Sequence, residues 1–124
     1  MTNQLEPMPK NIDIKPLEAW DMLVKNNDTI LVDVRTNEEW QLSGYPNLDA
    51  IKARLIKLTI DENFSDNLPL EIENKLTQIL FVCQSGIRSK KAMILMNDIG
   101  YQNCYNVIGG AKLWQESALP WKRD

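Results

Sequence analysis

The sequence contains no histidine among its 124 residues. This absence excludes catalysis by Ser-His-Asp or Cys-His groups, and it excludes metal sites built on imidazole. Only two cysteines are present, Cys83 and Cys104, and their spacing fits neither a C-x-x-C redox pair nor a zinc site. A catalytic nucleophile in this chain must therefore be activated by its electrostatic surroundings rather than by an imidazole base.

The sequence also lacks a basic excess and long apolar runs. Its formal net charge of −3 argues against general nucleic-acid binding, because such binding needs surplus cations for the phosphates. No apolar run approaches the ~20 residues of a membrane span. Residues 1–7 do not have the basic-then-apolar pattern of a secretory signal. We therefore expect a cytoplasmic protein with reduced thiols and with neither nucleic acid nor membrane as a partner.

Short apolar runs alternate with helical patterns along the chain. Residues 30–34 and 79–82 are almost wholly apolar, which is typical of central strands buried on both faces. Residues 12–14 predict a short edge strand, and residues 103–108 predict a further strand. This alternation predicts an α/β fold with a mainly parallel sheet of about five strands and helices on both faces. The length suits one domain, which we place at residues 12–121 after a flexible arm at residues 1–11.

The remaining segments predict helices and loops. The first helix has an apolar stripe that consists of Leu17, Trp20, Leu23 and Val24. We expect a turn at residues 44–47, a polar loop at residues 61–67 and a short helix at residues 68–76. A strand is expected at residues 50–51 or 55–56, and the chain should end in a solvated tail at residues 122–124.

Cys83 ends the apolar run at residues 79–82, and a glycine-containing turn follows it. A helical pattern then begins, so Cys83 should lie where a strand end meets a helix start, the crevice that binds ligands in open α/β sheets. Unpaired amides and the helix dipole favour an anion there, and thiols at helix starts ionise at roughly pKa 3.5–7.5. The pattern predicts a reactive thiolate, and a buried structural cysteine is the alternative. For Cys104 we expect a small buried side chain, with a resolving thiol as the alternative.

Arg88, Lys90 and Lys91 place cations in the first turn of this predicted helix. Cations oppose the helix dipole at that end, so their presence makes physical sense if an anion binds there. The same turn therefore combines a nucleophile with a cation for an anionic substrate.

Asp33 interrupts the other central strand near its carboxyl end, at the edge of the sheet where Cys83 is expected. A carboxylate there needs a partner, and we expect a structural ion pair or turn cap rather than a role in tuning the site. We also expect Arg35 to pair with Glu38 or Glu39. Glu39 completes a capping box with Thr36, which predicts a helix start at this point.

Residues 83–89, CQSGIRS, resemble the active-site loop C-x-x-G-x-R-S of rhodanese-like domains. Three further segments match in the same order. They are LVDVR with EEW at residues 31–40, SGYP at residues 43–46, and VIGGA with Trp114 and LP at residues 107–120. The resemblance spans residues 12–121, almost the whole chain, and it implies the α/β fold described above.

The resemblance implies sulfur transfer through a persulfide on Cys83, without a metal or organic cofactor. The loop residues expected to bind substrate are Gln84, Ser85, Gly86, Ile87, Arg88 and Ser89. The residues expected to support the site are Asp33, Arg35, Gly109 and Gly110. The expected partners are a small anionic donor such as thiosulfate and a thiol acceptor, with a protein as a further option for either role.

Two other functions are compatible with these residues. Cysteine phosphatases also hold a cysteine in a cup of amides beside an arginine, but their pattern resembles C-x5-R, one residue longer than the loop between Cys83 and Arg88. A rhodanese-like fold can also serve as a non-catalytic binding or regulatory module. Members of that kind usually lack the cysteine that this chain retains.

Overall fold

The computed structural model describes residues 12–124, so the flexible arm predicted at residues 1–11 lies outside the described residues. Its strands are β1 (Ile12–Ile14), β2 (Ile30–Asp33), β3 (Tyr45–Pro46), β4 (Arg54–Lys57), β5 (Gln78–Val82), β6 (Asn103–Val107) and β7 (Trp121–Lys122). Its helices are α1 (Pro16–Lys25), α2 (Asn37–Ser43), α3 (Phe64–Glu71), α4 (Ile87–Asp98) and α5 (Gly110–Glu116). Within this part of the chain, no helix is long and apolar enough to cross a membrane.

Five of the strands form one parallel sheet in the order β1-β6-β5-β2-β4. The apolar strands β2 and β5 are neighbours in its interior, and their register places Asp33 beside Val82. The two strands therefore end at the same level, and the residues that follow them meet at one edge of the sheet. The predicted α/β fold with a parallel sheet is confirmed.

Helices cover both faces of the sheet, as predicted. One face buries Phe81 and Ile79 against α3 and α4, which contribute Phe64, Leu68 and Met96. The other face buries a second cluster against α1 and α5. That cluster includes Ala19, Leu23, Leu31, Leu80, Val82 and Trp114. Because the central strands are buried on both faces, their sequences are continuously apolar rather than alternating.

The structure corrects three local predictions. Helix α3 begins at Phe64, inside the predicted polar loop, because Phe64 and Leu68 pack into the core. Residues 45–46 and 121–122 pair as a two-stranded antiparallel sheet, although a turn had been expected at residues 44–47 and a solvated tail from Lys122 onward. The stripe predicted for α1 is only partly buried, since Leu17 and Val24 face solvent.

Candidate active site

The loop from residue 83 to residue 89 connects β5 to α4 and carries the predicted nucleophile. Gly86 caps α4 with φ +105°, a left-handed conformation that side chains other than glycine rarely adopt. This conformation turns the chain sharply, so that the amides at the start of α4 face back toward the end of β5. Cys83 therefore lies between the end of a strand and the start of a helix, as predicted.

The Cys83 sulfur lies at the bottom of this loop among hydrogen-bond donors. The amide of Gly86 donates to Sγ at 3.1 Å, and the Ser89 hydroxyl lies 3.3 Å from Sγ. Burial raises the pKa of the Cys83 thiol, but hydrogen bonds to the ionised sulfur from the Ser89 hydroxyl and from the amides of Ser89, Gly86 and Ser85 outweigh it, so the pKa is lowered. The residues present can therefore stabilise a thiolate without an imidazole.

The thiol is more enclosed than the sequence suggests, because Cys83 is only 1% exposed. The amides of Ser85, Gly86 and Ser89 face the Cys83 sulfur itself. Gln84 and Ser85, which follow Cys83 in the loop, are exposed to solvent.

Gly109 and Gly110 support the loop from behind, as part of the start of α5. The amide of Ala111 donates to the Cys83 carbonyl at 2.7 Å, and the amide of Lys112 donates to the Gln84 carbonyl at 3.2 Å. A Cβ on Gly110 would lie 2.3 Å from the Cys83 carbonyl oxygen, far inside contact distance. The glycine is therefore required for the close packing of α5 against the loop.

Asp33 and Arg35 form a fully buried ion pair beside the loop. The Arg35 guanidinium donates to both Asp33 carboxylate oxygens at 2.8 to 3.3 Å, and both side chains are 0% exposed. Arg35 also donates to the Gly44 carbonyl at 2.8 Å, so it ties β2 to the segment before β3. The ion pair predicted for Asp33 is present. The prediction that Arg35 pairs with Glu38 or Glu39 was wrong, because Arg35 pairs with Asp33 instead.

Arg88 is already occupied by Glu39. Its two terminal nitrogens donate to the two carboxylate oxygens at 2.7 and 2.8 Å. The hydrogen bond from Arg88 is the main reason that the pKa of Glu39 falls from 4.5 to about 2, although partial burial acts in the opposite direction. The cation that was expected to await an anionic substrate therefore has its charge compensated inside the protein.

An open apolar groove runs from the loop along the outer face of α4, with a volume of about 530 Å³. We call it the α4 groove, and its lining residues are Gly86, Ile87, Lys90, Lys91, Ile94 and Leu95. Ile87 is 78% exposed although it belongs to the loop around the thiol. The groove therefore joins an apolar surface and two lysines to the edge of the candidate active site.

The sequence analysis missed three polar residues of the site. Glu39 was assigned to its capping box and to Arg35, but its carboxylate binds Thr36 and Arg88. Asn106 on β6 accepts a hydrogen bond from Ser89, and Asp13 on β1 accepts one from Asn106. The available signal was that Asn106 is a polar residue within a strand whose neighbours are buried. Cys104 is buried, as predicted, and burial raises the pKa of its thiol to about 12.

Comparisons with known proteins place these features in a family. The family model described as "Rhodanese-like domain" matches residues 15–117. The relative "Uncharacterized protein RP600" of Rickettsia prowazekii is 42% identical over 113 residues, which cover 85% of this chain and 92% of that protein. A tRNA uridine(34) hydroxylase of Prochlorococcus marinus is 34% identical over 86% of this chain, but the match covers only 34% of that enzyme.

Solved structures show the same fold. The crystal structure of Rv0390 from M. tuberculosis superposes with a TM-score of 0.75 at 30% identity, covering 90% of this chain and 97% of that one. The polysulfide-sulfur transferase from Wolinella succinogenes superposes with a TM-score of 0.70 at 23% identity, covering 91% and 79%. By the family model, the identity and the shared sheet topology, the chain belongs to the rhodanese-like domain family.

Proposed function

We propose that the protein is a sulfurtransferase that carries a sulfur atom as a persulfide on Cys83. The observation that carries this proposal is the position of the Cys83 sulfur, which three loop amides and the Ser89 hydroxyl stabilise as a thiolate. A cysteine that served only to fill the core would need none of these donors. The reduced thiol that the reaction requires also suits the cytoplasm, the compartment expected from the sequence.

The reaction has two displacement steps. In the first, the Cys83 thiolate attacks the outer sulfur of a donor such as thiosulfate, an Sγ–S bond forms, and the donor's S–S bond breaks as sulfite leaves with the electron pair. In the second, an acceptor thiolate attacks the outer sulfur of the persulfide, and the Cys83 thiolate leaves. Each step exchanges one S–S bond for another, so no external oxidant, metal or cofactor is needed.

The compensated charge of Arg88 bears on which donor the site favours. Because Glu39 holds both terminal nitrogens of the guanidinium, a small anion must compete with a carboxylate for them. Lys90 and Lys91 also lie beside the loop, and Lys90 lies 3.7 Å from Asp13. We therefore propose weak binding of thiosulfate through Arg88, with Lys91 as the cation most open to an incoming anion.

We propose that one of the two substrates is an acidic protein segment that docks in the α4 groove with its cysteine at Cys83. A small hydrated anion cannot bury the exposed apolar side chains of Ile87 and Ile94, whereas a protein segment can. Lys90 and Lys91 at the groove favour acidic residues in that segment. This choice fits the occupied state of Arg88 better than a site built for a free anion.

Intact mass measurement after incubation with thiosulfate tests the reaction. The wild-type protein and the control Cys104→Ala should each gain one sulfur atom, and Cys83→Ser should gain none. If no sulfane donor adds sulfur to the wild type, the binding module becomes the better account. Hydrolysis of a phenyl phosphate would instead support the phosphatase, although its loop would need one more residue between Cys83 and Arg88.

The docking segment is tested with two synthetic thiol peptides of equal length, one acidic and apolar and one basic. Transfer from the Cys83 persulfide should be faster to the acidic peptide, and Lys91→Glu together with Ile94→Ser should remove that preference. Transfer to dithiothreitol, which needs no groove, should not change in this variant. Equal rates with both peptides in the wild type would contradict the docking proposal and leave the reaction itself intact.

A further inference from the structure

A chain of buried hydrogen bonds connects the Cys83 sulfur to the surface on the far side of the loop. The Ser89 hydroxyl lies 3.3 Å from Sγ and 2.5 Å from Oδ1 of Asn106. Nδ2 of Asn106 lies 3.0 Å from Oδ1 of Asp13. Ser89 and Asn106 are 0% and 2% exposed, so water has little access to the middle of the chain.

The directions of these hydrogen bonds follow from the chemistry of the groups. A carboxylate has only acceptors, so Asp13 must face the NH₂ group of Asn106, which turns the amide oxygen toward Ser89. That oxygen can only accept, so the Ser89 hydroxyl must donate its single proton to Asn106. The hydroxyl then presents a lone pair to Cys83, and this arrangement accepts a hydrogen bond from the protonated thiol.

Ionisation of Cys83 reverses the last of these hydrogen bonds. When the thiol proton leaves to solvent, the hydroxyl must turn its proton to the sulfur, because a lone pair facing a thiolate is repulsive. The amide oxygen of Asn106 is then left buried without its donor, which is costly. If Asn106 rotated its amide by half a turn, its NH₂ group would face Ser89, but its oxygen would then face the Asp13 carboxylate, which repels it.

We infer that Asp13 and Asn106 are positioning residues that hold the Ser89 proton away from Cys83 and so restrain formation of the thiolate. The amides of the loop stabilise the thiolate, whereas the hydrogen bonds from Ser89 through Asn106 to Asp13 stabilise the protonated thiol. The restraint makes the thiolate less stable than the loop amides alone would make it, and it is released when the Ser89 hydroxyl turns. The inference rests on the proposed function for its purpose, but the protonation of Cys83 can be measured without any sulfur transfer.

Other charged groups around Cys83 must be separated from this effect. Arg88 at the start of α4 favours the thiolate by its charge and is paired with Glu39. Lys90 lies 3.7 Å from Asp13 and balances part of its charge. Removing the negative charge of Asp13 would lower the thiol pKa through space even without the hydrogen-bond chain. The test therefore has to distinguish a charge effect from one that passes through Ser89.

The experiment measures the alkylation rate of Cys83 by iodoacetamide as a function of pH, in a Cys104→Ala background. Asp13→Asn should lower the midpoint of this profile by about one pH unit, because the Asn106 amide is then free to rotate. In the presence of Ser89→Ala, Asp13→Asn should lower the midpoint by a clearly smaller amount, because only the effect of the Asp13 charge then remains.

Two results would overturn the inference. One is an unchanged midpoint in Asp13→Asn, and the other is an equal decrease with and without Ser89, which would show a charge effect alone. Asp13 is partly exposed, so its variant should fold, and the circular dichroism of each variant checks this directly. A failure of sulfur transfer would appear separately, as the absence of any mass gain with thiosulfate in the wild type.

Discussion

The ion pair between Arg88 and Glu39 allows a quantitative prediction for Glu39→Gln. The pKa of Glu39 falls from 4.5 to about 2, with the Arg88 hydrogen bond as the main cause and partial burial opposing it. At ~1.4 kcal/mol for each pKa unit, this sets an upper limit of about 3 kcal/mol on the contribution to folding. Because the side chains of Arg88 and Glu39 are 38% and 29% exposed, screening by water reduces the expected value to about 1 kcal/mol.

Glu39→Gln should therefore lower the free energy of unfolding by about 1 kcal/mol at pH 7, measured by urea denaturation. A carboxyl group with a lowered pKa stabilises the folded state above its unfolded value, so the difference should be full above pH 4.5 and disappear as the pH falls toward about 2. Glu39→Gln also frees the Arg88 guanidinium to bind the anionic sulfur donor. The KM for thiosulfate should fall about fivefold, the equivalent of ~1 kcal/mol, and Arg88→Ala should instead sharply reduce turnover in a folded protein.

The pair Arg54–Glu71 provides a matched control, because its N–O distance is also 2.7 Å. Arg54 begins β4, at the opposite end of the sheet from Cys83. Glu71→Gln should thus leave the KM for thiosulfate unchanged. A higher KM in Glu39→Gln, or a free energy of unfolding equal to the wild type at pH 7, would refute the reasoning about Arg88.

Two further variants test residues that support the loop, and one labelling reaction compares the two cysteines. Asp33→Ala leaves Arg35 buried without its partner and should cost about 3–5 kcal/mol in urea denaturation, so a stable but inactive variant would contradict a structural role. Gly110→Ala should displace the loop and abolish the mass gain with thiosulfate; an unaltered gain would show that the loop tolerates the added Cβ. At pH 8, peptide mapping should find iodoacetamide on Cys83 and not on Cys104, whose thiol has a pKa of about 12, and labelling of Cys104 in the folded protein would count against its burial.

Much of the scaffold could be predicted from the sequence because its signals are local. The apolar runs at β2 and β5 show that both strands are buried on two faces, and the glycine after Cys83 shows where the chain turns into α4. The position of the nucleophile follows from these two facts alone. Gly109 and Gly110 were also expected to support the site, and the packing of α5 against the loop explains why position 110 requires glycine.

The charges of the site could not be paired from the sequence, because each contact joins segments that are distant in the chain. Glu39 had a sufficient local explanation in its capping box, so nothing in the sequence indicated Arg88 as its second partner. Asp13 and Asn106 meet only through the register of β1 and β6. The pairing of β3 with β7 was missed for the same reason, since neither segment has a strand pattern of its own.

The central claim is that the Cys83 sulfur is held as an anion by main-chain amides at the start of α4, and the pH profile of its alkylation in the wild-type protein tests this most directly. The account predicts half-maximal reactivity toward iodoacetamide below the value of about 8.5 for a free cysteine. A midpoint at or above that value would contradict it, because a buried thiol without effective amide donors has a raised pKa.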